Sequence, residues 1–380
     1  MASKNNTKVI SSAKPHTIKK FELIEEYIKP WAQRLMLNAH CSTLVFIDCM
    51  CNSGVYINEE TGQLTDGTPV RVAKDLLDVA RMYPHKEIQI YLNDIDAAKI
   101  EELKKHLPNN ERNYQIITQS VDASEFLKTV GPQLYQANHL HYFLLYDPYD
   151  ASIDWAALLP FFRNWGEVLI NHMVSDPVRA ITCAKRTATK EKYAHTYLDD
   201  FENLVPYGSN KQAYERRVEE IIKKLKGNRR YFVSAFPFYN SVNSQVYSLV
   251  HCTSNPEGFK LYKSSAWKVF GGQSSTKHNH GDQDQLTFDL NPCSNGLLTV
   301  STDESCFTVS DIAKYLSREF SGCKDVPLNE LWHLLSIHPV FPSDGFKDQI
   351  KDELKSMYGV TLRMALNPQT GKREQVLSFK

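Results

Sequence analysis

The chain has 380 residues and carries 44 acidic and 44 basic side chains, so its formal net charge is zero. Binding to nucleic acid through an overall positive charge is therefore excluded, and such binding would need a local basic patch. The eight cysteines include no CxxC pair, which predicts reduced thiols in a cytoplasmic protein and no disulfide framework or zinc site. No apolar run reaches the ~18 residues of a membrane span, so we expect no membrane partner.

The beginning of the chain predicts a tail, a helix and a buried strand. Residues 1–14 are rich in Ser, Lys and Asn, which is typical of a disordered tail. Apolar residues at helical spacing predict a helix over 15–38, and an apolar run predicts a strand at 43–48. The polar stretch 57–67 is expected to be a loop that covers a ligand. Thr68 and Pro69 are favourable residues for the start of the next helix, which ends near residue 82.

The next part of the chain alternates between strand and helix patterns. Strands are predicted at 87–94, 114–118, 141–146 and 167–171, with intervening helices at 97–107, from 124 onward and at 154–164. Such alternation predicts βαβ units and a parallel sheet. Two alternating apolar runs at 231–238 and 245–252 predict an antiparallel hairpin that ends this sheet, followed by a helix at 256–272.

Two polar segments interrupt this pattern. Residues 174–230 are predicted to form a helical insertion, with 13 basic against 8 acidic residues. Its part from 185 to 230 is a candidate surface for DNA or RNA, and a solvated helix face stays open as the alternative. His278 and His280 lie in a polar loop without neighbouring acids or cysteines, so a solvated loop is favoured and no metal site is predicted.

The composition changes at about residue 301. Helices are predicted at 307–320, 327–337 and 342–358, and two strands at 360–365 and 374–379 flank a turn. Three helices and a terminal hairpin predict a winged-helix domain over 301–380, after an α/β domain over 15–300. Residues 344–358 are its candidate recognition helix, which carries acids as well as lysines and is therefore open to a nucleic acid or a protein partner.

Acidic residues follow four of the predicted parallel strands: Asp48, Asp94, Asp122 and Asp147. Because the carboxyl ends of parallel strands meet at one edge, we expect these acids to line a shared ligand site. An acid after the second strand suits a ribose diol, and an acid with a small neighbour after the third suits an adenine amino group. With the terminal hairpin, this pattern predicts a Rossmann-like class I methyltransferase sheet that binds S-adenosylmethionine (SAM). Helix N-caps remain the alternative role for each acid.

Four segments of the sequence match a known family: the predicted helix from His16 to Trp31, the loop after the first strand, the Gly67-Thr68-Pro69 helix entry and Asp147-Pro148-Tyr149. In these segments the chain resembles the three-Cys-motif partner proteins (TcmP), a family similar to class I methyltransferases. The family's first motif reads roughly Asp-x-Phe-Ala-Gly-x-Gly-x-Tyr; here three residues match, Asp48, Gly54 and Tyr56, and three depart, Met50, Cys51 and Asn52. The resemblance implies SAM as cofactor and a protein with three cysteines as partner.

The predicted cofactor residues follow from this edge and this motif: Asp48, Cys51, Asn52, Gly54, Tyr56, Asp94, Ile95, Asp122 and Ala123. Asparagine tolerates the positive φ that glycine usually supplies, so the turn can persist at Asn52. Cys49 and Cys51 are interpreted as small buried loop residues rather than as nucleophiles. His172, beside the same edge, is interpreted as a structural histidine.

Asp147, Pro148 and Tyr149 are the predicted catalytic residues. They resemble the Asp-Pro-Pro-Tyr motif of amino-methyltransferases, with Tyr149 directly after Pro148. There, a carboxylate and a backbone carbonyl accept hydrogen bonds from a target amino group while the aromatic ring stacks on a planar substrate such as a nucleobase. Orientation towards the methyl donor supplies most of the rate. A simple strand-exit turn is the equal alternative.

Three functions are thus open from the sequence. The first is a SAM-dependent methyltransferase that acts on a planar, amino-bearing substrate. The second is a catalytically inactive, methyltransferase-like scaffold for a three-Cys-motif enzyme, which the substituted loop after the first strand favours. The third is a nucleic-acid-binding module that uses residues 185–230 and the winged helix.

Overall fold

The computed structural model of the protein describes residues 9–148, 153–173, 231–277, 306–367 and 371–380. Tyr149, the predicted insertion at 174–230 and the two histidines at 278 and 280 lie outside these ranges. Within the described residues, no helix is both long and apolar enough to cross a membrane.

The α/β part of the described chain contains ten strands and six helices. In chain order they are β1 (Ser11–Ala13), α1 (Pro15–Leu37), β2 (Thr43–Asp48), β3 (Val55–Asn58), β4 (Leu64–Asp66), α2 (Thr68–Met82), β5 (Glu87–Asn93), α3 (Ala97–Lys104), β6 (Tyr114–Gln119), α4 (Ala123–Tyr135), β7 (Leu140–Tyr146), α5 (Trp155–Leu158), β8 (Gly166–Met173), β9 (Phe232–Tyr239), β10 (Gln245–Thr253) and α6 (Pro256–Val269).

Seven of these strands form one sheet in the order β6-β5-β2-β7-β8-β10-β9. The first five are parallel, with Phe46 of β2 opposite Ile90 of β5 and Phe143 of β7. Strand β10 runs antiparallel to both of its neighbours, β8 and β9. The predicted parallel sheet with a terminal antiparallel hairpin is confirmed, and its strand order is that of the Rossmann-like methyltransferase fold.

The sheet is covered by helices on both faces, which explains why its strands are nearly continuous apolar runs. Every residue of β7 is buried. Phe46 of β2 faces the core cluster of α1, α2 and α6, while its neighbours Val45 and Ile47 face the cluster of α4 and α5. This alternation follows from the two-residue period of a strand. The loops at the carboxyl ends of β2, β5, β6 and β7 are thereby held above a rigid support.

Two short polar segments differ from the prediction. Strand β1 lies inside the stretch predicted as a disordered tail and pairs in parallel with β3. The predicted loop over 57–67 is partly a hairpin, because β3 and β4 pair antiparallel. Together these strands form a small separate sheet. Its strands have three or four residues each and are only partly buried, so they lack the apolar pattern that identifies a strand.

Two predicted helices are also shorter than expected. The helix predicted at 154–164 is α5 followed by a 3₁₀ turn at Leu159–Phe161, where Pro160 supplies no backbone N–H. The helix predicted at 342–358 begins only at Lys347, because Gly345 has a φ of +88° and interrupts the helical backbone.

The C-terminal unit, the described residues from 306 onward, shares one apolar core cluster with α1, α2 and α6. Its elements are α7 (Val309–Glu319), β11 (Val326–Pro327), α8 (Leu328–Ile337), α9 (Lys347–Tyr358), β12 (Thr361–Leu366) and β13 (Arg373–Ser378), with an antiparallel sheet in the order β11-β13-β12. Helix α6 attaches this unit to the large sheet. The buried ammonium group of Lys263 donates to the carbonyls of Leu335, Ser336 and His338, at 2.8, 3.1 and 2.6 Å, at the end of α8.

Candidate functional site at the carboxyl edge of the sheet

Asn93, the last residue of β5, ties three strand-end loops together. Its side chain is fully buried and donates to the carbonyls of Cys49 and Val121, at 3.1 and 3.0 Å, while its amide oxygen accepts from the N–H of Val121 at 3.1 Å. The loops after β2, β5 and β6 are therefore fixed relative to one another. Asn93 was not among the predicted site residues; the available signal was a polar residue at the end of an apolar strand.

The loop after β2 makes a tight turn in spite of its substituted motif. Asn52 has a φ of +58°, and its side-chain oxygen accepts from the N–H of Ser53 at 2.8 Å. Gly54 has a φ of +71°, and a Cβ atom there would lie 2.3 Å from Cδ1 of Leu103. Asn52 thus adopts the left-handed conformation that glycine favours, whereas Gly54 is required both by its backbone and by the close approach of α3.

Asp94 is buried beneath this loop rather than open to the edge. Only 1% of it is exposed, its Oδ2 accepts from the N–H of Asn52 at 3.0 Å and its Oδ1 from the N–H of Asp96 at 2.9 Å. Its neighbour Ile95 is 68% exposed. Asp94 therefore organises the loop after β2, and its contact with a ribose stays a prediction.

Asp122 stands farther along the edge and has the role of a helix cap. Its carboxylate accepts from the N–H groups of Ser124 and Glu125, at 2.9 and 3.3 Å, at the start of α4, whose first residue is Ala123. The N-cap alternative thus describes Asp122 in this structure. The side chain is exposed, which leaves it accessible to a ligand as well.

Asp48 and Asp147, at the ends of the adjacent strands β2 and β7, lie close enough to repel each other. Asp48 is buried and accepts from the N–H of Met50 at 3.2 Å. Burial, and then the negative charge of Asp147, raise the pKa of Asp48 to about 8. Burial likewise raises the pKa of Tyr56, with Asp147 and Asp48 as the next causes, so this tyrosine lies beside the same two acids. Pro148 is buried behind them.

Both carboxylate oxygens of Asp147 are engaged. The ammonium of Lys20, near the start of α1, lies 2.5 Å from Oδ2, and the side-chain amide of Asn171, in β8, donates to Oδ1 at 2.5 Å. The Lys20 ammonium also lies 5.5 Å from the ring centre of Tyr247, in β10. Three elements that are distant in sequence therefore converge on one carboxylate.

Sequence reasoning missed Lys20, Asn171 and Tyr247. Lys20 precedes Ile24 by four residues and Tyr27 by seven, which puts a charged residue on the buried stripe of α1. Asn171 is a polar residue in an otherwise apolar strand. Both patterns are visible in the sequence, but neither of them identifies Asp147 as the partner of these residues. By contrast, Cys49 and Cys51 are buried, and burial raises the pKa of each thiol well above its ordinary value, which agrees with small buried residues rather than nucleophiles.

No protein-family model and no curated protein matches the sequence. Among solved structures, the chain is similar to an O-methyltransferase from Bacillus cereus in complex with SAH, at 11% identity and a TM-score of 0.31, covering 60% of this chain and 80% of the other. It is also similar to the SAM-bound O-methyltransferase TomG from Streptomyces achromogenes, at 13% identity, a TM-score of 0.29, and coverage of 60% and 80%. A third is the cofactor-bound protein Rv0187 from MTB, at 8% identity, a TM-score of 0.32, and coverage of 61% and 79%. These likenesses are too distant to carry an argument, and the fold of this chain rests on its own strand order.

Proposed function

We propose that this chain is a SAM-dependent methyltransferase whose cofactor binds at the carboxyl edge of the large sheet. One observation carries the proposal: Asp48 and Asp147 are brought together at the ends of two central strands, where Asp48 is buried and accepts from the backbone N–H of Met50. In a sheet of this strand order, that edge is where ligands bind.

The residues at this edge fit the charges of SAM. The cofactor carries a positive sulfonium and a positive ammonium, and a buried carboxylate with a raised pKa is stabilised by an added positive charge. Among the described residues, none donates a hydrogen bond to the buried side-chain oxygen of Asn171, which offers an acceptor to a ligand. Exposed Ile95 and Asp122 suit the apolar and amino groups of adenine. When bound, SAM would supply an electrophilic methyl group.

The buried carboxylate of Asp94 is the feature of this edge that agrees least directly with SAM binding. Its two oxygens accept the backbone N–H groups of Asn52 and Asp96, so a ribose hydroxyl would have to bind beside these contacts. Access needs a displacement of the loop at Asn52. This same burial favours a second candidate function, a methyltransferase-like scaffold that does not bind SAM and serves another protein.

The acceptor that we propose carries an amino group that binds at Asp147. Asp147 follows β7 in the Asp-Pro-Tyr sequence, and its side chain is 22% exposed, so it is reachable from outside. A planar acceptor such as a nucleobase, stacked on Tyr149, remains the form that the sequence predicts.

We propose that the C-terminal unit is a winged-helix domain that binds a protein, for which the three-Cys-motif protein is the candidate. On α9, Lys347 pairs with Asp344 at 2.9 Å and Lys351 pairs with Asp348 at 2.6 Å, so neither lysine is available to a phosphate without losing an ion pair. Exposed apolar side chains lie nearby in sequence: Met357, Met364 and Leu366. Apolar exposure and balanced charge favour a protein over DNA or RNA.

Calorimetric titration with SAM tests the proposed function. We expect one site in the wild-type protein, and a loss of affinity of about tenfold or more in Asp48→Asn, which removes a charge that the cofactor would meet. Asp78→Asn, an exposed acid on α2, is the matched control and should bind like wild type. Absence of heat with the folded wild-type protein would exclude the methyltransferase and leave the scaffold.

A further inference from the structure

The ammonium group of Lys20 contacts a carboxylate and an aromatic ring, which are the groups that would bind the amine of a ligand. Asp147 accepts from it at 2.5 Å, the ring of Tyr247 lies 5.5 Å away, and Asn171 fixes the second oxygen of the carboxylate. A carboxylate and an aromatic ring are the two groups that bind an ammonium ion most strongly in proteins.

This contact differs from the surface ion pair beside it on the same helix. Lys19 and Glu22 pair at 2.8 Å, with side chains 45% and 37% exposed, as is typical of a solvated pair that adds little. The side chain of Lys20 is only 10% exposed, whereas that of Asp147 is 22% exposed. The carboxylate therefore remains reachable while its ammonium partner is nearly buried.

The surrounding charge selects a cation. Asp48 lies within electrostatic reach of Asp147 and Lys20, and its pKa is raised although Lys20 lowers it. A neutral amino group in place of Lys20 would leave the Asp147 carboxylate without a counter-charge beside the buried Asp48. The exocyclic amine of a nucleobase is neutral, so this location disfavours it and favours a primary ammonium group on a slender chain.

We propose that Asp147, Asn171 and the ring of Tyr247 form the subsite for the primary amine of the methyl acceptor, and that Lys20 fills this subsite as an intramolecular stand-in. This inference rests on the proposed function and replaces its planar, neutral acceptor with a primary amine that binds as its ammonium ion. The nitrogen then gives one proton to the Asp147 carboxylate, and its lone pair takes the methyl group from the sulfonium, which leaves as a neutral thioether. Such an amine enters only when the Lys20 ammonium leaves, so Lys20 competes with the acceptor.

Chemical rescue of Lys20→Ala tests the subsite without measuring catalysis. This substitution removes the side chain beyond Cβ, and propylammonium restores the missing three carbons and the nitrogen. We expect the variant to melt below wild type and propylammonium to raise its Tm by about 3 °C at roughly ten times its Kd. Wild type, whose subsite is filled, and Lys19→Ala, from the neighbouring exposed lysine, should not respond. Sodium chloride and 1-propanol control for ionic strength and for the alkyl chain.

Several outcomes would overturn the proposal. They are an equal rise with sodium chloride or 1-propanol, the same rise in Lys19→Ala, or a rise that persists in the double variant Lys20→Ala/Asp147→Asn. If propylammonium does not raise the Tm of folded Lys20→Ala, the contact between Lys20 and Asp147 is only a structural ion pair. If Lys20→Ala does not fold, Lys20→Gln keeps a donor to Asp147 with a side chain shorter by one atom, and methylammonium must then raise its Tm. SAM titration of wild type separates the two proposals, because SAM binding without rescue overturns only the subsite, and rescue without SAM binding overturns only the methyltransferase.

Discussion

Replacing Asn93 by alanine should weaken the hydrogen bonds that hold the loops of the candidate site in place. The matched control is the same replacement at Asn113. Asn93 makes three hydrogen bonds to the backbone of the loops after β2 and β6 at the carboxyl edge. Asn113 donates to three carbonyls, those of Ala80, Tyr83 and Lys86, at the opposite, amino end of the neighbouring strands. The two residues thus have the same type of contact at opposite edges of one sheet.

The size of the effect follows from burial. Each lost hydrogen bond costs about 1 kcal/mol, so Asn93→Ala should lower the free energy of unfolding by about 3 kcal/mol. The carbonyl of buried Cys49 would be left without this donor, which adds to this loss. Asn113 is only partly buried, and water can replace its contacts in part, so Asn113→Ala should cost about 2 kcal/mol.

Urea unfolding and SAM titration together decide the result. We expect both variants to lose stability, and only Asn93→Ala to lose SAM affinity, because only its loops carry the predicted cofactor residues. Equal SAM affinity in the two folded variants would refute the reasoning, since it would show that the order of these loops does not matter for the cofactor.

Three further predictions concern a carboxyl group, a glycine pair and a buried lysine. Because the pKa of Asp48 is raised to about 8, SAM binding should strengthen by up to tenfold per unit as the pH rises from about 6 to 8, and calorimetry should find no such slope in Asp48→Asn. Gly54→Ala should cost about 2 kcal/mol more in urea unfolding than Gly62→Ala; both glycines have positive φ, but only the first new methyl group meets neighbouring atoms. Lys263→Met should speed proteolysis of α8, since three carbonyls lose their donor. Burial lowers the pKa of Lys263 to about 7, so between pH 7 and about 10 the unfolded chain binds the extra proton, and wild type should gain stability with pH relative to Lys263→Met.

The large sheet could be predicted because burial on both faces makes its strands readable as apolar runs. Strand β2 has the predicted bounds, and β7 differs from its prediction by one residue. The small sheet was not predicted because β1, β3 and β4 are short and only partly buried, and because β1 pairs with a strand more than 40 residues away along the chain. The start of α9 was predicted wrongly because the local sequence does not show whether Gly345 has a positive φ or a helical one.

The candidate site could be predicted only in part, because the residues that contact the acids are far from them along the chain. The strand order places the acids at one edge, so a local pattern sufficed to find Asp48, Asp94 and Asp147. Their partners depend on tertiary contacts: Lys20 and Asp147 are 127 residues apart. No spacing rule connects two such positions, and the same holds for Asn171, whose pattern showed a polar residue but not its carboxylate.

Asp48, Asp94 and Asp147 are compensated in three different ways, and this separates the two proposals. Asp94 accepts backbone N–H groups, Asp147 is paired with the Lys20 ammonium, and Asp48 is left with a raised pKa. A cationic cofactor therefore gains most at Asp48, whereas an amine gains at Asp147 only by displacing Lys20. We expect Asp48→Asn to weaken SAM binding while the Lys20→Ala background still responds to propylammonium, and Asp147→Asn to abolish that response. Loss of both responses in Asp48→Asn would show instead that the two carboxylates act as one ligand site.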